Sequence, residues 1–249
     1  MTGYDPDNGR EIWTVRGTSR VACSSPTSGG GMLFSASWNL GGDSGARIEM
    51  PGFAEFAAAH DANHDGLLTA AEMPAGPVKE RFTQMDLNKD GLVTPVEWEE
   101  MAAMFAKAEN SLLAVRAGGA GDITKSHVAW KTTRSLPYVA SPLFYKGRLY
   151  TVRSGGMLSC YEGTTGKPLY LDERLGAIGD YYASPIASGD YVYLIAQSGA
   201  AVVVRAGDKF EIVSRNELGA EVMASPAVAQ GTLFIRTGGR LYAFRNKQL

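Results

Sequence analysis

A chain of 249 residues has room for one large domain or two ordinary ones, with a substantial core. Hydrophobic residues make up 45% of it and charged residues 20%, the balance of a soluble globular protein and not of a disordered one. The net charge of −2 excludes a nucleic-acid-coating surface, and no apolar run reaches the roughly 18 residues that a helical membrane span needs.

That small net charge hides a division. Between Ser44 and Asn110 stand twelve acidic and five basic side chains, a local charge of −7 that leaves +5 on the rest. An acidic block in a mildly basic frame points to a cation site. Two cysteines, Cys23 and Cys160, form no CxxC motif and no disulfide framework, and both read as half-buried free thiols in strands. The opening MTGYDPDNGREIW has neither a basic n-region nor an apolar h-region, so no signal peptide is visible in it.

Along the chain the frame repeats. TGYDPDNG and REIWTV come first and read as the tail of a repeat unit. A Ser-Pro tag then recurs at Pro26, Pro142, Pro185 and Pro226. The last three tags lie 43 and 41 residues apart, but the first gap is 116. Removing an acidic block of about 73 residues restores a gap of about 43, which locates an insertion.

GMLFSASW (Gly31 to Trp38) predicts a second strand and SLLAVRAG (Ser111 to Gly118) a third, so the insertion occupies the hairpin loop between them. After each later tag comes a short strand ending in Gly, then RLYTVRS, DYVYLIAQ or TLFIRTG, then MLSCYEG, AAVVVRAG or RLYAFRN. Two units add a fourth strand, KPLYLDE and KFEIVSR. Such runs, rich in β-branched and aromatic residues and closed by Gly and Asp, are strand signals. Four short antiparallel strands per 40–45 residues or so is the period of a β-propeller blade. The expected fold is therefore mainly β, with residues 1–43 and 111–249 forming blades and residues 44–110 an α-helical insertion. The count is half a blade, three whole ones and most of another. The arc is thus part of a longer chain's ring, or a ring of four completed by the N-terminal strand, or an arc that pairs with a second copy through its open edge.

The insertion carries DANHDGLLTAAE and DLNKDGLVTPVE, two twelve-residue loops of the EF-hand pattern. Such a loop needs oxygen donors at positions 1, 3, 5, 7, 9 and 12 and a Gly at 6. The first offers Asp61, Asn63, Asp65, the carbonyl of Leu67, Thr69 and Glu72, with Gly66 at the turn. The second offers Asp86, Asn88, Asp90, the carbonyl of Leu92, Thr94 and Glu97, with Gly91. Two calcium ions are the expected cofactors. Leu68 and Val93 at position 8 are apolar, as paired loops require for a short β-bridge. GFAEFAAAH, PVKERFTQM (opening at Pro77) and PVEWEEMAAMFAKAE predict the flanking helices, with Met101, Met104 and Phe105 on one stripe that packs the insertion's own core. The loops start 25 residues apart with MPAGP between them, a connection too short for a large calcium-driven opening.

Two stretches, YDPDNGREIW (Tyr4 to Trp13) and CYEGTTGKPLY (Cys160 to Tyr170), place an acidic turn before Gly-Lys/Arg and an aromatic. They resemble the pyrroloquinoline-quinone-like propeller repeat, including its outer-membrane-assembly type, over residues 1–43 and 111–249. The resemblance implies a bacterial, extracytoplasmic propeller working as a noncatalytic scaffold for a protein or small ligand. Quinoprotein oxidoreductases share the repeat and are the alternative. However, the calcium candidates here lie in the insertion, and the adjacent cysteine pair common in those enzymes is missing. His60, His64 and His127 form no catalytic pattern. Tyr138, Tyr181 and Tyr182 precede Ser-Pro tags on expected innermost strands, where they pack blades.

Overall fold

Strands form where apolar and polar side chains alternate between glycine turns. The computed structural model describes residues 1–19, 22–39, 50–107 and 109–245. The chain divides into two units, residues 1–39 with 110–249 and residues 40–109. The expected boundary between residues 43 and 44 lies outside the described residues.

The larger unit opens on a hairpin, β1 (Thr2–Tyr4) and β2 (Glu11–Thr14), whose second strand adjoins β6 (Gly121–Asp122) in parallel. Three four-stranded antiparallel sheets follow. The first blade contains β3 (Thr27–Gly29), β4 (Met32–Ser37), β5 (Ser111–Arg116) and β7 (Val128–Thr132). The second contains β8 (Leu143–Tyr145), β9 (Arg148–Arg153), β10 (Met157–Glu162) and β11 (Pro168–Arg174). The third contains β12 (Ile186–Ser188), β13 (Tyr191–Ile195), β14 (Ala200–Arg205) and β15 (Ile212–Glu217). A last sheet has three strands, β16 (Ala227–Ala229), β17 (Thr232–Arg236) and β18 (Leu241–Arg245). Among the described residues the sheets form no closed ring. The N-terminal hairpin pairs with β6 and not with β18, so the ring of four completed by the N-terminal strand does not form.

VAWKT carries no turn signal of the repeat before it. It forms β7, entered through a single helical turn, α1 (Thr124–His127), in place of the Thr-Gly-Lys turn of the second blade. The tyrosines before the Ser-Pro tags lie in loops and not on innermost strands, because each first strand starts after the proline. Tyr181 is buried there and donates to the Ala177 carbonyl, whereas Tyr138 is exposed and meets Trp38 edge-on. Cys160 is buried on β10, but Cys23 is exposed in the loop before its tag, outside any strand.

The tag itself has a physical reason. The backbone N–H of Ser25 donates to the Ser141 hydroxyl, that of Ser141 to Ser184, and that of Ser184 to Ser225, each at 2.9 Å. Each serine thus hydrogen-bonds the next blade's serine, satisfying a backbone donor where consecutive innermost strands begin. The following proline has no N–H to satisfy. At the end of β3 a Cβ on Gly29 would overlap the Phe144 ring, so only glycine lets β3 and β8 approach.

Between blades the core is built from equivalent positions. Phe34, Tyr150 and Tyr193 on the second strands stand opposite Ala114, Cys160 and Val203 on the third. Trp130 of β7 faces the second blade, stacking near Tyr161 (6.1 Å) and donating its Nε1–H to the Gly163 carbonyl at 2.9 Å. Tyr170 of β11 packs in the same way near Phe210 of the third blade, with centroids 5.7 Å apart. Burial pushes Cys160, Tyr161 and Tyr181 up to about 12 from ordinary values of 9.0 for the thiol and 10.0 for the phenols. These groups ionise first in the unfolded chain. Their stabilising contribution is therefore complete below pH 9 and is lost as the pH rises toward 12. Alkaline titration is expected to unfold the blades in that window, with the last phase of tyrosinate absorbance and loss of β circular dichroism moving together. The insertion contains neither Tyr nor Cys and has no such alkaline term. All eleven tyrosines titrating near 10 with the sheet signal intact would contradict this.

Candidate metal centre

The smaller unit is built on helices around two loops. It contains α2 (Phe53–His60), a 3-10 turn (Lys79–Arg81) leading into α3 (Phe82–Met85), and α4 (Pro95–Lys107). The helix expected to open at Pro77 starts as a turn, with the Glu80 N–H on the Gly76 carbonyl, and becomes regular only from Phe82. Trp98, Leu68, Val93, Met73, Met85, Met101, Phe53 and Phe105 form the core of this unit. Met101 and Phe105 are buried there, whereas Met104 is 36% exposed at the stripe's edge. The ring of Trp98 lies 4.6 Å from that of Phe56, and its Nε1–H donates to the Pro51 carbonyl. Glu99 accepts from the Phe53 N–H, so α4 also caps the start of α2.

The twelve-residue loops lie side by side. Leu68 and Val93, both fully buried, exchange backbone hydrogen bonds of 3.1 and 2.8 Å as an isolated antiparallel bridge. Position 4 takes a positive φ in both loops, 59° at His64 and 61° at Lys89, and position 6 is a positive-φ glycine, Gly66 or Gly91. The chain therefore coils inward at the same places twice.

In the first loop Asp61 Oδ2 accepts from the Gly66 N–H, Asn63 Oδ1 from the Asp65 N–H, and Asp65 Oδ1 from the Leu67 N–H. Glu72 closes the loop, accepting from the Ala62 N–H through Oε1 and from both the N–H and hydroxyl of Thr69 through Oε2. The second loop repeats this with Asp86 to Gly91, Asn88 to Asp90, Asp90 to Leu92, and Glu97 to Leu87 and Thr94. The hydrogen bonds from Thr69 and Thr94 hold Glu72 and Glu97 below the usual carboxylate range, so both are charged at neutral pH. No residue type announces the Ala62 and Leu87 amides that steady these glutamates, since a backbone N–H has no residue signature.

A simpler account covers part of this. Thr94-Pro95-Val96-Glu97 is a capping box at the start of α4, and the Glu97 N–H returns a bond to the Thr94 hydroxyl. Capping does not explain Asp61. This residue is 9% exposed, and its Oδ1 is buried without a hydrogen-bond partner. A buried carboxylate oxygen left unpaired costs on the order of 1–3 kcal/mol or more. In the second loop the equivalent Asp86 Oδ1 accepts a long 3.1 Å bond from Asp90. Among the described residues no three carboxylate, imidazole or thiol side chains converge as a compact cluster. The donor set is mixed, with carboxylate, amide, hydroxyl and carbonyl oxygens spread along each loop, and it fits a hard cation of high coordination number. Of the histidines, His60 lies against the Phe56 ring and His127 pairs with its neighbour Ser126, so neither joins a cluster.

No protein-family profile and no curated protein matches the chain. Solved structures do. Computationally designed Ika8 aligns with 98% of this chain and 51% of its own, at 9% identity and a TM-score of 0.55. BamB from Moraxella catarrhalis aligns over 54% of this chain and 39% of its own, at 15% identity and a TM-score of 0.43. The chain thus spans about half, or less, of the length of these structures. The likeness is one of fold, of sheets stacked as propeller-like blades. Among the described residues no helix is long and apolar enough to cross a membrane.

Proposed function

We propose that the chain is a calcium-binding, noncatalytic scaffold, in which calcium orders the insertion and the blades present a recognition face for a protein or small ligand. Asp61, Asn63, Asp65, the Leu67 carbonyl, Thr69 and Glu72 hold one ion. Asp86, Asn88, Asp90, the Leu92 carbonyl, Thr94 and Glu97 hold the second. The observation that carries this reading is the unpartnered, buried Oδ1 of Asp61 at the first ligand position. A bound cation satisfies that oxygen and relieves the repulsion among three carboxylates per loop. An extracytoplasmic, calcium-rich setting goes with this use, because the short Met73–Pro77 connection suits a structural ion better than a switch.

Calorimetric titration of calcium into chelator-stripped protein tests the reading. The expected result is two sites of all-oxygen character, with magnesium a weaker competitor because it demands a tight octahedral shell. Heats no larger than dilution would reduce both loops to capping boxes and end the proposal.

A further inference from the structure

One aromatic ring of the fourth strand recurs along the blades. Trp13 on β2, Trp130 on β7 and Tyr170 on β11 hold the same register position, opposite Gly3, Ala114 and Cys160. On β15 that position is Ser214, opposite Val203. The third-strand position two residues earlier also shrinks, from Leu112 and Leu158 in the first two blades to Ala201 in the third. Here the seam between the third blade and the last sheet opens into a half-open cleft of about 510 Å3.

The cleft is built to face a ring. Tyr193, Ala201 and Val203 form one wall, and Leu233, Tyr242 and Phe244 the other. Tyr242 and Phe244 stack almost parallel, with centroids 5.8 Å apart and planes 8° apart. Phe244 holds the register position of Tyr161, the residue beside which Trp130 stacks two seams earlier. The platform is retained where the ring it would meet is replaced by a hydroxyl. Polar groups sit on β15, where the Asn216 amide donates to Ser214 Oγ and leaves its own carbonyl to accept. Among the described lining residues Glu217 is the one side chain charged at neutral pH.

We propose that this seam binds a planar aromatic small molecule without negative charge, its ring taking the place that Trp130 and Tyr170 fill in the preceding seams. The volume falls in the range of about 300–1,000 Å3 typical of small-molecule sites. Apolar cavities that lack a side chain stay dry and accept ring-sized guests. Offset stacking on Tyr242 and Phe244 supplies orientation. Among the described lining residues an anion would meet Glu217 and no cation.

The neutral naphthalene dye prodan, titrated into the whole chain, is the probe. The expected result is saturable binding of one dye per chain with blue-shifted emission. Ser214→Trp restores the ring and is expected to weaken binding by about tenfold or more, while Val213→Ala, on β15 but outside the cleft lining, leaves it unchanged. Leu233→Trp fills the cleft from the opposite wall and serves as the second arm if the first variant does not fold, as judged by circular dichroism. Binding that never saturates, or that is equally tight in the tryptophan variants, overturns the proposal. So does a wild-type dimer in sedimentation that the tryptophan variants dissociate, because the missing ring is then supplied by a second copy.

Discussion

Chelator-stripped protein carrying both Glu72→Gln and Glu97→Gln is expected to take up no calcium and to melt at the same temperature with or without it. The reasoning separates two roles of one side chain. Glutamine at the third helical position still completes a capping box, so the start of α4 keeps its hydrogen bonds. What glutamine lacks is the second anionic oxygen that a twelfth-position ligand must offer. In the wild-type chain, calcium at one hundred times its dissociation constant stabilises the insertion by about 2.7 kcal/mol per site. Thermal denaturation of both proteins, each with calcium and with chelator, reads the difference directly. A calcium-induced rise of equal size in the variant would assign the glutamates to capping alone.

Trp98→Ala is expected to produce the largest loss of stability of any single substitution in the insertion, about 3–5 kcal/mol. Trp98 is fully buried, meets both Phe53 and Phe56 and anchors Pro51 through its Nε1–H. Residues 40–109 form their own unit with their own core. Helical signal is therefore expected to melt early in the variant while the sheet signal stays at its wild-type midpoint. A single transition shifted as a whole would show instead that the insertion and the blades unfold together.

How much of this was legible in the sequence depended on whether a feature is carried by side-chain type or by geometry. The Ser-Pro tag marked each blade because its serine is used chemically, as the acceptor for the neighbouring blade's amide. The inward coil of both loops was legible because the pattern puts a glycine, Gly66 or Gly91, at its sharpest point. β7 was missed because its unit departs from the repeat just before it, entering through Thr124–His127 instead of a Gly-Lys turn. Cys23 was misplaced because a small apolar residue beside Val21 and Ala22 reads as strand, while the neighbouring Ser24 hydroxyl is tied to the Ala36 carbonyl in a loop. The cleft beside Ser214 had no signal in its own residues. It emerges only from the register, when one polar residue is set against three aromatic ones in equivalent places.

The paired asparagines at the root of the insertion have a kinetic consequence. Asn39 N–H donates to Asn110 Oδ1, and Asn110 Nδ2 donates to the Asn39 carbonyl, both at 2.9 Å. They sit just beyond the register pair Ser37 and Ser111, 74 positions apart in the chain. Closing so long a flexible loop costs about 2–3 kcal/mol more chain entropy than closing an ordinary hairpin. Once Trp98 is tied to Pro51 inside the smaller unit, the residues between them no longer count as flexible loop, and the closure cost falls. The first blade therefore pairs faster when residues 51–98 fold first than when they do not.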